Sequence, residues 1–319
     1  MNRLAYYRRV LAAYGGRGRS HLSFWHETPA LEPGSFDDPP GGRYYMTFAE
    51  KARYTGPFDA EGIPLLDYRG RLGPQYNPIA IAQYGLARWN RFCQTGSSED
   101  RAVALRMGEW LVRQQEEGVW WHRFDWDYFR PLRAPWRSGL AQGQGLSLLA
   151  RLYAHTGEAR YADAAEAAWN RLAAPVEKGG CVFVDPDGAR WIEEYITDPP
   201  THILNGMIWA LWGVWDWHRV RPKPEIRQLW EAGVRTLRQN LPRYDLGYWS
   251  CYDLAPLRIP NPASPFYHRL HIVQGLVLAR LSGDPFFETT ARRWHAYTGR
   301  AAHRWRAFLL KCLFKAFYY

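Results

Sequence analysis

Residues Trp191–Gly206 read WIEEYITDPPTHILNG. Two carboxylates, Glu193 and Glu194, and the phenol of Tyr195 stand together beside Trp191, just before a double proline and a long aromatic-rich run. A carboxylate beside a phenol can take and return protons. A phenol near pKa ~10 is a good donor and, once deprotonated next to a cation, a strong base. Surface decoration is the plainer reading. A strand sends successive side chains to opposite faces, so Glu193 is expected to face solvent while Glu194 faces inward.

Other residues could join such a site. Tyr252 and Tyr267 carry further phenols, and His268, His271 and Arg137 could supply positive charge. The two histidines lie three apart on one helix face with no third ligand in view, so they read as hydrogen-bonders rather than metal ligands. Asp125 and Asp127 alternate without an EF-type loop, a weak calcium signal. No metal or cofactor is expected, and no G-x-G-x-x-G turn follows a strand. Tyr76, Asn77, Gln83, Gln142, Gln144 and Asn205 are candidates for substrate contact, although the amides serve equally well in helix-to-helix hydrogen bonds. The chain has 17 tryptophans and 20 tyrosines, more rings than a core needs. The excess either lines a groove that stacks on sugars or bases or fills a large helical core.

The elements that must hold these residues repeat along the chain. Apolar helical runs begin at Tyr76, Arg137, Thr201 and Tyr267, sixty-odd residues apart, and a more polar amphipathic helix follows each. Three of the runs end in a turn at Gly96, Gly157 or Gly283. Helix pairs stacked about an axis, with Ala- and Gly-rich inner helices, satisfy this spacing. The connectors are aromatic and punctuated by Gly and Pro, and DPDG at Asp185–Gly188 predicts a hairpin. The expected fold is mainly α, an (α/α) toroid, complete or partial, with loops converging at one end. Residues 1–75 are expected to form an irregular arm with short strands around RYYMTFAEKARYTG, residues 76–298 the toroid, and residues 299–319 a basic amphipathic helix.

The net charge of +10 is unevenly spread. Residues 1–20 and 289–319 hold twelve basic residues and no acid, which leaves the body near neutral. Electrostatic capture of an anionic chain or surface is therefore assigned to the ends. HRWRAFLLKCLFKAFYY suits a membrane surface or an acidic partner, or equally a final helix packed on its own domain. Four scattered cysteines form no CxxC pair and fit reduced thiols. Arg8 and Arg9 interrupt the apolar N-terminus, so a cytoplasmic protein is expected, in contact with the inner membrane face if the tail binds it. No nucleic-acid module is recognisable, and nucleic acid is not an expected partner.

The segments YNPIAIAQYGLARWN, WRSGLAQGQGLSLLARLY, EEYITDPPTHILNGMIWALWGVWDW and CYDL…YHRLHIVQGL resemble the C-terminal domain of the D-glucuronyl C5-epimerase family, over about Tyr76 to Trp294. The resemblance implies conversion of D-glucuronate to L-iduronate within a heparosan-like polymer, and a homodimer. Animal members carry β-rich domains before the helical one, for which this chain has too little sequence. Glu194 and Tyr195 fall on the family's EEY motif, Tyr252 on its YDL tyrosine, and Tyr267 on its YH…H tyrosine, followed by His268 and His271. Asn205 and Gly206 fall on its NG motif, and Ala141–Gln144 on AQGQ. Epimerisation removes a carbon-bound proton beside a carboxylate and returns one to the opposite face. Such a reaction needs two proton-transfer groups and stabilisation of an enediolate-like intermediate. Glu194 is the candidate for one face and Tyr267 for the other, with Tyr195 or Tyr252 on the carboxylate. A polysaccharide lyase begins with the same step, and a glycan-binding protein on the same scaffold is the non-catalytic alternative.

Overall fold

The four apolar runs become the long inner helices of a helical-pair assembly. The computed structural model describes residues 3–15, 23–25, 27–128 and 130–318; Arg17 and Arg19 of the basic N-terminus lie outside them. The pairs are α3 (Pro78–Thr95) with α4 (Ser98–Gln114), α5 (Gly139–Thr156) with α6 (Ala159–Ala173), α7 (Leu204–Val220) with α8 (Pro224–Asn240), and α9 (Pro265–Ser282) with α10 (Pro285–Thr298). Helices α3, α5, α7 and α9 pack side by side in that order, each covered by its polar partner. This is the (α/α) toroid type. Before it come α1 (Arg3–Tyr14), a single helical turn α2 (Ala49–Ala52) and the hairpin β1 (Leu65–Asp67) and β2 (Pro74–Tyr76). A second hairpin, β3 (Val182–Val184) and β4 (Arg190–Ile192), lies between α6 and α7, and α11 (Ala301–Tyr318) ends the chain.

Local chemistry sets the helix ends. Asn77 caps α3 by accepting from the amides of Ile79 and Ala80, and Ser138 and Ser264 cap α5 and α9 in the same way. Gly96, Gly157 and Gly283 end the same three helices at φ near +70°, a conformation other residues rarely adopt. The inner helices are rich in Gly because α5 and α7 touch backbone to backbone. A Cβ on Gly143 would lie 2.3 Å from Cα of Ala210, and one on Gly213 would lie 2.1 Å from the carbonyl oxygen of Gly143. The outer helices need only one apolar stripe. Helix α8 buries Ile226, Leu229, Trp230, Gly233 and Leu237, at helical spacing.

The N-terminal arm departs from expectation. Strands were expected around Arg43–Gly56, yet that segment runs as extended chain and then α2; Met46 makes an isolated bridge with Leu31, and the true strands lie at 65–67 and 74–76. The reason is burial on all sides. Tyr44, Tyr45 and Phe48 are fully buried within the toroid core. Helix side chains satisfy their backbone, with Asn90 of α3 accepting from the Tyr44 amide at 2.6 Å and donating to the Met46 carbonyl at 2.8 Å. The Tyr44 hydroxyl accepts from Gln144 of α5 at 2.7 Å, and Tyr45 donates to Asp216 of α7 at 2.6 Å. Asp216 also pairs with buried Arg151 of α5 at 2.7 Å, and the guanidinium lies over both tyrosine rings. The arm is held along the inner helices by Asn90, Gln144, Arg151 and Asp216, and the connectors gather at the helix N-terminal ends.

Helix α11 packs against α1 and α10, burying Ala307 and Phe314, with Phe308 against the Tyr14 ring. No helix among the described residues is long and apolar enough to cross a membrane.

Breaking a buried ion pair strands a charge. Asp216→Ala is therefore expected to lower stability by about 3–5 kcal/mol in urea unfolding followed by tryptophan fluorescence. Tyr45→Phe, which removes one donor to the same carboxylate, is expected to cost about 1–3 kcal/mol.

Candidate active site

Hairpin β3–β4 delivers the acids. Asp185 accepts from the amides of Asp187 and Ala189, closing the turn, and Val182 pairs with Ile192. Strand β4 stops at Ile192. Beyond it the Glu193 amide donates to the Cys181 carbonyl at 2.9 Å, and the Glu193 carbonyl accepts from the Gly139 amide at 3.0 Å, while the chain bends inward. Alternation holds only inside a strand, so the expectation that Glu193 faces solvent fails: Glu193 and Glu194 are both buried. Glu193 bonds the ring Nδ1 of His202 at 2.5 Å and accepts from the His202 amide at 3.1 Å. The His202 ring stacks on Trp191. This pair pins the loop between β4 and α7.

Glu194 lies over the first turn of α7. A Cβ on Gly206 would sit 2.2 Å from its Oε2, so a side chain at 206 and the carboxyl cannot coexist as placed. Asn205 donates to Oε2 at 3.3 Å, and the Tyr195 hydroxyl also bonds the carboxylate. Burial outweighs these bonds and pushes the carboxyl up to about 8. Tyr252 and Tyr267 face each other edge to face, ring centroids 4.7 Å apart, which sets their phenols side by side. Burial, and then the negative charge of Glu194, raise the phenols of Tyr195, Tyr252 and Tyr267. The three rings are only half-buried, so they form a wall around a buried carboxyl. The structure thus brings Glu194, Tyr195, Tyr252, Tyr267 and Asn205 together at the N-terminal ends of α7 and α9. Those ends carry partial positive charge, which favours an anionic ligand.

The remaining sequence candidates divide. Asn77 caps α3 and donates to the Tyr68 hydroxyl at 2.7 Å, which links it to the cluster through Tyr68. Gln83 is fully buried in α3, with neither side-chain atom hydrogen-bonded. Tyr76 turns away and donates to Asp59 at 2.7 Å. Arg137 donates to the carbonyls of Gly180 and Val176, so its guanidinium staples the approach to β3 instead of supplying charge. Gln142 is spent on backbone, donating to Gly118 and accepting from Trp120, and Gln144 holds the Tyr44 plug. His268 stacks on Trp249 at 3.8 Å and sits between Ser250 and the Trp294 carbonyl. Burial pushes it down to about 4 and takes His271 well below the usual range, so both are neutral. Neither histidine nor Arg137 provides the expected cation. Asp125 pairs with Arg133. Among the described residues no group of three or more His, Cys, Asp or Glu is placed to hold a metal ion.

Sequence reasoning missed several members. Tyr68, just after β1, packs on Phe124 and Trp126, and its hydroxyl meets Asn77. Tyr128 packs edge-on to Tyr195 and donates to Asp253 at 2.9 Å. Asp253 also accepts from Asn261 at 2.6 Å, and Lys311 of α11 donates to Asn261 at 2.6 Å. This relay braces the connector whose Tyr252 carbonyl accepts from the first amide of α7. Adjacency of Asp253 to Tyr252 was the only local signal; the rest arrives from distant segments.

Residues 114–296 match the profile described as D-glucuronyl C5-epimerase C-terminus, more than half of the chain. The D-glucuronyl C5-epimerase of Caenorhabditis elegans is 33% identical over 216 residues, which are 61% of this chain and 35% of that one. Uncharacterized protein MJ1128 of Methanocaldococcus jannaschii is 31% identical over 179 residues, 55% of this chain and 56% of that one. The chain thus spans about a third to a half of the length of these curated relatives. A solved sugar epimerase from a ruminal bacterium shares the fold at a TM-score of 0.55 and 15% identity, over 91% of this chain and 73% of that one. With the profile covering the buried glutamate and the phenol wall alike, the chain belongs to the family of the D-glucuronyl C5-epimerase C-terminal domain.

Proposed function

We propose that the site epimerises uronate units at C5 within an anionic polysaccharide, converting D-glucuronate to L-iduronate in a heparosan-like polymer. The observation that carries the reading is a buried carboxyl, Glu194, grouped with a facing pair of phenols, Tyr252 and Tyr267. A carboxylate with its pKa lifted to about 8 is a stronger base than a free one. It takes the C5 proton, and the electron pair moves into the uronate carboxylate as an enediolate. The Tyr267 phenol then returns a proton to the opposite face. The phenolate left behind would be stabilised by a hydrogen bond from the adjacent Tyr252 phenol. Solvent exchange resets both groups, and the reverse reaction exchanges their roles.

The enediolate needs donors. No cation comes from His268, His271 or Arg137, so the task falls to the Tyr195 hydroxyl, released once Glu194 has taken the proton, and to the N-terminal ends of α7 and α9. Asn205 supports sugar binding in a second way. Its Oδ1 is buried and has no hydrogen-bond partner among the described residues, and a sugar hydroxyl would satisfy it. The half-buried rings offer stacking surface to neighbouring units.

Incubation with unsulfated heparosan in deuterium oxide, followed by NMR, is expected to show deuterium at C5 together with iduronate signals. Glu194→Gln and Tyr267→Phe are each expected to lower kcat by about 10²–10⁴. A new ultraviolet-absorbing unsaturated uronate would identify a lyase instead, and binding with no exchange would identify a glycan-binding protein.

The lifted carboxyl also predicts pH behaviour. In the glucuronate-to-iduronate direction kcat/KM is expected to rise with pH, with a midpoint near 8. Stability moves the other way. The folded state keeps a proton that the unfolded chain releases near 4.5, so stability falls as pH rises from about 4.5 through about 8. Glu194→Gln should remove this slope in thermal unfolding and, at pH 8, be more stable than the parent by on the order of 2 kcal/mol.

A further inference from the structure

Helix α11 is apolar on two sides. Its inner side buries Ala307 and Phe314. Its outer side carries Trp305, Leu309, Leu313 and Phe317, which are 54%, 64%, 47% and 68% exposed. Their spacing of four lines them up as one stripe, about 18 Å long at 1.5 Å per residue. An ordinary surface helix turns charge outward; this one turns its large apolar side chains outward. Arg304 and Arg306, either side of Trp305, and Arg300, just before the helix, are exposed. Helix α1, packed against α11, adds exposed Arg8 and Leu11. No acidic residue occurs from residue 289 to the end of the chain.

We propose that this face docks the protein on an anionic lipid bilayer, with α11 lying in the interfacial plane. Phosphate headgroups complement the arginines, and the acyl boundary takes the apolar stripe; one surface meets both demands. A polyanionic sugar chain could pair with the arginines and stack on Trp305 or Phe317, but it offers nothing to Leu309 and Leu313, which complete the stripe. A two-fold dimer through the same patch would set the cationic face against its own copy. The inner side of α11 is tied through Lys311 to Asn261, whose carbonyl accepts from the Tyr252 amide. A docked helix would therefore hold the cleft at a fixed attitude above the surface. The inference concerns a different surface from the catalytic reading and stands or falls apart from it.

Flotation with phosphatidylcholine vesicles, with and without phosphatidylglycerol, tests it. The protein is expected to float with the phosphatidylglycerol vesicles only, and added salt should release it. Leu309→Gln with Leu313→Gln should weaken partitioning about tenfold or more, and Arg304→Gln with Arg306→Gln should remove the preference for anionic lipid. All four positions are exposed, and among the described residues only Arg306 has a packing partner, lying over the Tyr248 ring, so turnover of soluble polymer should not change in either variant and melting temperature should fall slightly in the arginine pair alone. Failure to float, or equal flotation with neutral vesicles, overturns the proposal. So does a dimer in sedimentation velocity that the leucine pair converts to monomer, which would make a second copy the occupant.

Discussion

A carboxyl group taken out of water in a helical core requires either a cation or a proton, and this fold buries carboxyls under both regimes. Near one end of the toroid Asp216 receives the Arg151 guanidinium and the Tyr45 hydroxyl, and it works as an ionic rivet between α5, α7 and the N-terminal plug. Near the other end Glu194 receives one phenol and one amide and no cation. Desolvation is the same in kind at the two sites; compensation differs. The first site therefore spends its charge on holding the axis closed, whereas the second keeps a carboxyl able to exchange a proton near neutral pH.

That contrast organises the rest of the molecule. The plug fills the core between Asn90 of α3, Gln144 of α5 and Asp216 of α7, and loops and helix N-termini shape the end where Glu194 lies. Backbone contact between α5 and α7 at Gly143, Ala210 and Gly213 brings the two helix starts close enough for the β4 loop to lay Glu194 across Gly206. The histidines that carry charge in free solution are buried behind the phenol wall against Trp249 and Trp294, where burial keeps them neutral. Their part is to hold the connector through Ser250.

The phenols divide by partner. Tyr195 bonds the carboxylate, Tyr267 faces Tyr252, and Tyr68 and Tyr128 stand behind them bonded to Asn77 and Asp253. A hydroxyl with a fixed neighbour is held in one orientation, as Tyr68 is by Asn77 and Tyr128 by Asp253. The buried relay from Lys311 to Asn261 and Asp253 shows the terminal helix acting as a brace on this wall as well as a surface element.

How much of this was legible beforehand follows from the range of the forces involved. Helix pairs, their glycine stops and the Asp185–Gly188 hairpin were readable because periodicity, capping and turn chemistry act within a few residues. The grouping of Glu194, Tyr195, Tyr252, Tyr267 and Asn205 was readable from ordered motifs placed on those elements. Tertiary structure alone decided what each polar side chain meets: Arg137 and Gln142 turn to backbone carbonyls, Glu193 turns inward past the end of its strand, and Arg43–Gly56 becomes a plug because aromatic side chains buried on every side need no sheet. The sequence by itself determined the repeating scaffold and the types of group at its mouth. Only the fold decided which carboxyl meets a guanidinium and which is buried without one, because that depends on desolvation and on how distant segments pack.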